Sequence, residues 1–177
     1  MSAEARNLEL PECKPAIESI RGRWESKVSP QRRHNILQTR LGMLLTQWAG
    51  ERGEVGSEWR FYLAPAGEEP SSLVPDVAYY SFERLPRTLG ELREKTALAP
   101  DIAVEILSPG DRPEVLTEKV ALYLTNGTRS VLVVDPLARS VDVYEENATH
   151  RVVEPESATL RSYPDLRIET PPLFENL

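Results

Sequence analysis

Apolar residues at Leu37, Leu41, Leu44, Leu45 and Trp48 recur three and four positions apart and form one stripe, which predicts an amphipathic helix. Ser29 is its expected N-cap, Pro30 its first helical residue, and Gly50 or Gly53 its end. A second helix is predicted over about 113–125 from Leu116, Val120, Tyr123 and Leu124, with Asn126–Gly127 stopping it. Between and after the helices the pattern shortens to strands. These are expected near 22–28, 57–63, 73–80, 101–107, 130–134 and 141–144, with weaker ones near 149–153 and 159–161. The pair 130–134 and 141–144, joined through Asp135–Pro136, reads as a hairpin.

Three segments carry less pattern. Residues 1–19 are a polar, proline-containing lead-in. Residues 81–99 hold Pro86 and Gly90 and read as an irregular loop or a broken helix. Residues 163–177 carry several prolines and read as a wrapped tail. A strand, a helix and a strand in succession (101–107, 113–125, 130–134) favour parallel pairing with a right-handed crossover, and the remaining strands favour antiparallel additions. The expected fold is therefore α/β: a mixed sheet with helices packed on it, organised as an extension over 1–19 and a single domain over 20–177.

Composition narrows the functional classes. The 177 residues suffice for one domain with a real core, and 40% hydrophobic with 28% charged residues is ordinary for a water-soluble chain. No apolar run approaches the roughly 20 residues that span a bilayer, so no membrane role is expected. The first ten residues lack the apolar core of an export signal, and the single cysteine, Cys13, allows no internal disulfide; both favour the cytoplasm. The net charge of −7 argues against a large basic nucleic-acid surface. The charge is uneven, however. Arg21, Arg23, Lys27, Arg32, Arg33 and Arg40 face only Glu25 in their stretch, whereas the chain after Val141 is acidic. A basic arm of that kind either grips phosphates or forms a solvated helix face.

The candidate chemistry starts from Glu105, a carboxylate inside the apolar run Ile102, Ala103, Val104, Ile106, Leu107. An unpaired acid there is costly, so it is expected to be paired, protonated or bound to a metal. Strand alternation places Asp76 with Ala78 and Tyr80, and Glu105 with Asp101, Ala103 and Leu107. If the two strands are neighbours, Asp76 and Glu105 lie roughly 5 Å apart and can share a divalent cation. Asp101 lies about 13 Å along the strand from Glu105, and reads as a residue at the start of the strand or an outer partner of the pair. All-oxygen ligands suit Mg²⁺ or Mn²⁺, and no Cys/His cluster competes. Lys119 falls at the edge of the apolar face of the second helix, beside Val115, Leu116 and Tyr123. It either snorkels outward or meets Glu105. His34 continues the stripe of Leu37, Leu41 and Leu45, as a core or capping histidine would.

At these residues the chain resembles the Uma2 family, grouped with the PD-(D/E)XK nucleases. The matching pieces are VPDVAYY (74–80), PDIAVEILSP (100–109), TEKVALYL (117–124) and SVLVVDPLARSVDVYE (130–145), with a weaker match at SPQRRHNILQTRLGMLL (29–45), where the family often has a histidine. The resemblance implies a restriction endonuclease-like core with flanking helices. It implies Asp76 and Glu105 as the acids that hold Mg²⁺ or Mn²⁺, and Lys119 as the catalytic lysine. The superfamily places that lysine two residues after the second acid, where this chain has Leu107; in this family it stands on the following helix. Arg32, Arg33 and His34 would then contact nucleic acid. The implied activity is metal-dependent hydrolysis of DNA phosphodiesters, with a homodimer expected by analogy to enzymes that cut both strands. The alternatives are a catalytically inactive module that binds nucleic acid or protein on the same fold, and a hydrolase of a small phosphorylated substrate.

Overall fold

The structure is a computed structural model, and it describes residues 16–27, 31–64, 67–88 and 97–177. The chain opens with a hairpin, β1 (Ile17–Ile20) and β2 (Arg23–Ser26), around Arg21 and Gly22. Both turn residues have positive φ, 47° and 78°, the requirement of the tight turn that matches strand twist. β1 falls partly within 1–19, the segment expected to be an extension, whose residues before 16 lie outside the described ones.

Helix α1 (Arg32–Ala49) follows. Its buried residues include Leu37, Leu41 and Leu45, with Leu44 and Trp48 half-buried beside them, so the expected stripe is the face that packs. The expected cap pair Ser29–Pro30 lies outside the described residues; Gln31 occupies the N-cap and Gly50 the C-cap. Then come β3 (Gly53–Ser57), β4 (Phe61–Leu63), β5 (Ser71–Leu73) and β6 (Val77–Ser81). Two expected strands are split here. The one over 57–63 breaks at Glu58, whose φ of 52° turns the chain from one sheet to another. The one over 73–80 breaks at Val74–Pro75–Asp76, where proline removes a ladder donor and the chain crosses between sheets.

Beyond the loop come β7 (Ile102–Ile106), α2 (Pro113–Thr125), β8 (Ser130–Asp135), β9 (Ser140–Glu145) and β10 (Ala148–Val153). The tail is more regular than a wrapped coil: β11 (Ser157–Thr159) pairs with β12 (Arg167–Glu169), and α3 (Thr170–Phe174) packs on α1.

Six strands form the central sheet in the order β10-β9-β8-β7-β6-β3. Only β7 and β8 are parallel, joined through α2, and every other pair in this sheet is antiparallel. Alternation along β6, β7 and β8 splits the core in two. Val77, Tyr79, Ile102, Val104 and Ile106 face α1 and α3. Ala78, Tyr80, Ala103, Val131 and Val133 face α2 and a second sheet, β2-β1-β5-β4. Gly53 lets β3 approach β6: a Cβ there would stand 2.2 Å from the Tyr80 carbonyl oxygen. No described helix is long and apolar enough to cross a membrane.

Candidate active site

The antiparallel register of β6 and β7 pairs Val77 with Val104 and Ala78 with Ala103. Extended by one residue, it sets Asp76 opposite Glu105. The Asp76 amide still donates to the Val104 carbonyl at 2.9 Å, and the Ile106 amide donates to Asp76 Oδ2 at 2.6 Å. Asp76 therefore leaves the sheet hydrogen-bonded to the same stretch of β7 that carries Glu105. Glu105 points, like Ala103, toward α2 and the second sheet.

Each acid meets a cation. Lys119 Nζ lies 2.7 Å from Glu105 Oε2, and the Tyr123 hydroxyl donates to Glu105 Oε1 at 2.9 Å. Lys119 and Tyr123 are four residues apart on α2, so one helical face presents both. Lys119 is also 3.0 Å from Oε2 of Glu18, on β1, whose Oε1 accepts the Val74 amide at 2.7 Å. On Asp76, Lys27 Nζ sits 2.5 Å from Oδ1 and His34 Nε2 3.2 Å from Oδ2. Gln38 steadies the backbone by donating to the Asp76 carbonyl at 2.9 Å. Glu18, Lys27, His34, Asp76, Glu105 and Lys119 line one cavity of about 120 Å³.

Burial and charge act against each other here. Burial pushes the Glu105 carboxyl up from 4.5 to about 7, against the pull of Lys119 and Lys27. Burial would lower Lys119, but Glu105 and Glu18 more than offset it and hold the ammonium well above its ordinary range. Above about pH 7 the pair is therefore an ionised Glu105 beside a protonated Lys119, which Glu18 also contacts. Burial would raise Asp76; its contacts with His34 and Lys27 instead hold it well below the usual carboxylate range. Tyr123 is pushed far up by burial and by Glu105, so it remains a hydrogen-bond donor.

The expected site residues fall into three places. Asp76, Glu105 and Lys119 come together, and Lys119 is buried against Glu105 instead of snorkelling. Asp101 is at the far end of β7, where its carboxylate accepts from the Ser81 amide at 2.9 Å, the Ser81 hydroxyl at 3.0 Å and the Tyr163 hydroxyl at 3.1 Å, with Arg84 at 3.3 Å. It ties the tail to the sheet and does not reach Glu105's partners. Arg32, Arg33 and His34 do not share one face. His34 is buried against Asp76, whereas Arg32 and Arg33 are exposed. The three meet again only as walls of a neighbouring groove of about 460 Å³ with Leu107, Ser108, Pro136 and Leu137.

Sequence reasoning missed Glu18, Lys27, Gln38 and Tyr123. Glu18 had a signal of the same kind as Glu105, an acid between Ile17 and Ile20, hidden in a stretch read as patternless. Tyr123 stood one helical turn from Lys119. Lys27 had no local signal, because its partner lies 49 residues away.

Among the described residues, no group of three or more His, Cys, Asp or Glu side chains converges as a metal cage. Two carboxylates lining one cavity nonetheless fit the ordinary pattern for Mg²⁺, which is held by one or two acids and completed by substrate phosphate and water.

A family model, Uma2, described as "Putative restriction endonuclease", matches residues 4–171. A solved structure titled as a "putative nuclease belonging to DUF820", from Anabaena variabilis, superposes with a TM-score of 0.83 at 29% sequence identity, covering 94% of each chain. No curated protein matches the sequence significantly.

Proposed function

The chain belongs to the Uma2 family, and from that premise and the site's geometry we propose that it is an endonuclease hydrolysing DNA phosphodiesters with a divalent cation held by Asp76 and Glu105. The observation that carries this reading is the pairing of β6 with β7, which sets Asp76, just before β6, opposite Glu105 of β7 in one cavity, with a buried lysine on the second acid. Mg²⁺ or Mn²⁺ bound there would polarise the scissile phosphate and acidify a bound water.

The chain's own groups supply the rest. Lys119 has three N–H donors, and its described partners are Glu105 and Glu18. The third donor is available to orient water or meet charge developing on phosphorus. Tyr123 and Lys119 together fix the Glu105 carboxylate, so that it need not reorganise during reaction. Arg32 and Arg33, exposed along the adjoining groove, provide phosphate contacts for the strand leaving the site.

The test is cleavage of plasmid and single-stranded DNA with Mg²⁺ or Mn²⁺, run beside Glu105→Ala. Wild-type cleavage that Glu105→Ala abolishes supports the assignment; cleavage that the variant retains removes it. A second reading, a binding module without catalysis, draws on the charge balance of the site, in which each acid already pairs with a lysine. DNA binding with no cleavage under either metal favours that reading.

A further inference from the structure

Lys27 is absorbed by none of the roles above. It follows the hairpin strand β2 and reaches across to Asp76, where its side-chain partners among the described residues are Oδ1, at 2.5 Å, and the Val74 carbonyl, at 2.7 Å. The two oxygens of Asp76 are not equivalent. Oδ2 accepts the Ile106 amide and faces His34 Nε2. A carboxylate oxygen has about two acceptor directions, so Oδ2 is filled by groups rooted in β7 and α1. Among the described residues Oδ1 accepts from Lys27 alone, and it is the oxygen with room for a further ligand. A divalent ion at the usual Mg²⁺–oxygen distance on Oδ1 would stand about 4 Å from the Lys27 ammonium. Like charges at that separation, near a protein interior, repel strongly.

The two lysines of the site differ in how firmly they are held. Lys119 is 7% exposed and clamped by Glu105 and Glu18. Lys27 is 16% exposed, has one acid and lies on the cavity wall. Of the two, Lys27 is the less enclosed and contacts fewer acids.

We infer that Lys27 is an exchangeable placeholder cation: it neutralises Asp76 in the metal-free protein, is expelled as a divalent ion binds, and then offers its ammonium to a nucleic-acid phosphate entering the same cavity. This rests on the proposed metal site. The placeholder lowers the metal affinity of the resting protein and couples metal binding to the appearance of a phosphate contact. A compact ammonium on a flexible stem suits both positions.

The experiment has two readouts that do not require activity. Mn²⁺ binding to the full chain is followed by water-proton relaxation for wild type, Lys27→Met and Asp76→Asn. In parallel, wild-type protein is treated with an amine-acetylating reagent, and modification of Lys27 and Lys119 is read by mass spectrometry. Lys27→Met is expected to bind Mn²⁺ at least tenfold more tightly than wild type. Acetylation of wild-type Lys27 is expected to rise severalfold with Mn²⁺ while Lys119 stays protected. Adding a DNA oligonucleotide to the metal-loaded protein is expected to protect Lys27 again. Equal or weaker Mn²⁺ affinity in Lys27→Met, or Lys27 acetylation indifferent to Mn²⁺, overturns the exchange. Continued labelling in the presence of DNA overturns the phosphate contact. Mn²⁺ binding absent from wild type and Lys27→Met, or unchanged in Asp76→Asn, overturns the proposed metal site itself. The acetylation arm uses only wild-type protein, so it decides the question even where a variant fails to fold.

Discussion

Lys119→Met removes the one cation that stands between two buried acids. Met matches the lysine stem in length, so the perturbation is the loss of charge and not of volume. In the wild type, Nζ lies 2.7 Å from Glu105 and 3.0 Å from Glu18, with both acids buried. Breaking a buried ion pair from one side costs about 3–5 kcal/mol, because the remaining charge is left uncompensated. The cost depends on pH. Glu105 has its folded value raised from 4.5 to about 7 by burial even with Lys119 present; without that lysine it rises further. At pH 5 the Glu105 carboxyl is protonated in both proteins, and the loss is reduced to the pairing of Lys119 with Glu18. Above pH 7 it ionises in the wild type beside Lys119, whereas in the variant it must either ionise unpaired or hold its proton at a cost. Urea unfolding followed by tryptophan fluorescence at pH 5 and pH 8.5 measures the difference. With a slope of about 2 kcal/mol per M, the midpoint of the variant should fall by about 2 M at pH 8.5 and by less at pH 5, where only the contact with Glu18 is lost. Adding Glu105→Gln to Lys119→Met should recover the part of the loss that comes from Glu105, since the two residues are in contact and cannot behave additively. Midpoints equal to wild type at pH 8.5, or a deficit of the same size at both pH values, would refute the reasoning.

Three further outcomes follow from the same contacts. For Glu105→Gln, the rise of the carboxyl from 4.5 to about 7 corresponds to about 3 kcal/mol that favours folding below pH 4.5 and is lost as pH rises through 7; the wild-type stability minus that of the variant should fall by that amount across this window in denaturant titrations, and a flat difference counts against a buried, titrating Glu105. Asp101→Ala removes the acceptor of the Ser81 amide, the Ser81 hydroxyl and the Tyr163 hydroxyl and strands the Arg84 guanidinium, so unfolding experiments should show a loss of about 3–5 kcal/mol, while Mn²⁺ affinity of the folded protein stays at the wild-type value. Arg32→Ala with Arg33→Ala should weaken binding to DNA of any sequence and make the logarithmic salt dependence shallower by about 1–2, as measured by fluorescence anisotropy at 50 to 200 mM salt; an unchanged salt slope removes these residues from the DNA path.

What could be read from the sequence was what neighbours in the chain determine. The stripe Leu37–Leu41–Leu45 is a helical face whatever it packs on, and α2 runs over the residues that its apolar spacing and Asn126–Gly127 indicated. Glu105 was visible because an acid among Ile102, Val104 and Ile106 violates the local pattern. Its partner Lys119 was visible because both belong to one β7–α2–β8 unit, in which parallel pairing places the connecting helix against the sheet. Asp76 opposite Glu105 needed one further assumption, that β6 and β7 are neighbours; once they are, strand alternation leaves little freedom.

The rest was decided by tertiary structure. Nothing near Pro75 says that the chain changes sheets there, yet that crossing releases Asp76 from β6 and brings it to Lys27, His34 and the Ile106 amide. Glu18 joins Lys119 only because β1 packs in a second sheet facing α2, a contact between residues 101 positions apart. Asp101 shares a face with Glu105 by periodicity but serves the opposite end of the strand, where Ser81 and Tyr163 arrive from other elements. Local pattern records which way a side chain points and whether it is out of place. Which charge answers it depends on sheet order and register, and those are set by burial summed over the whole core, which no short stretch of sequence contains.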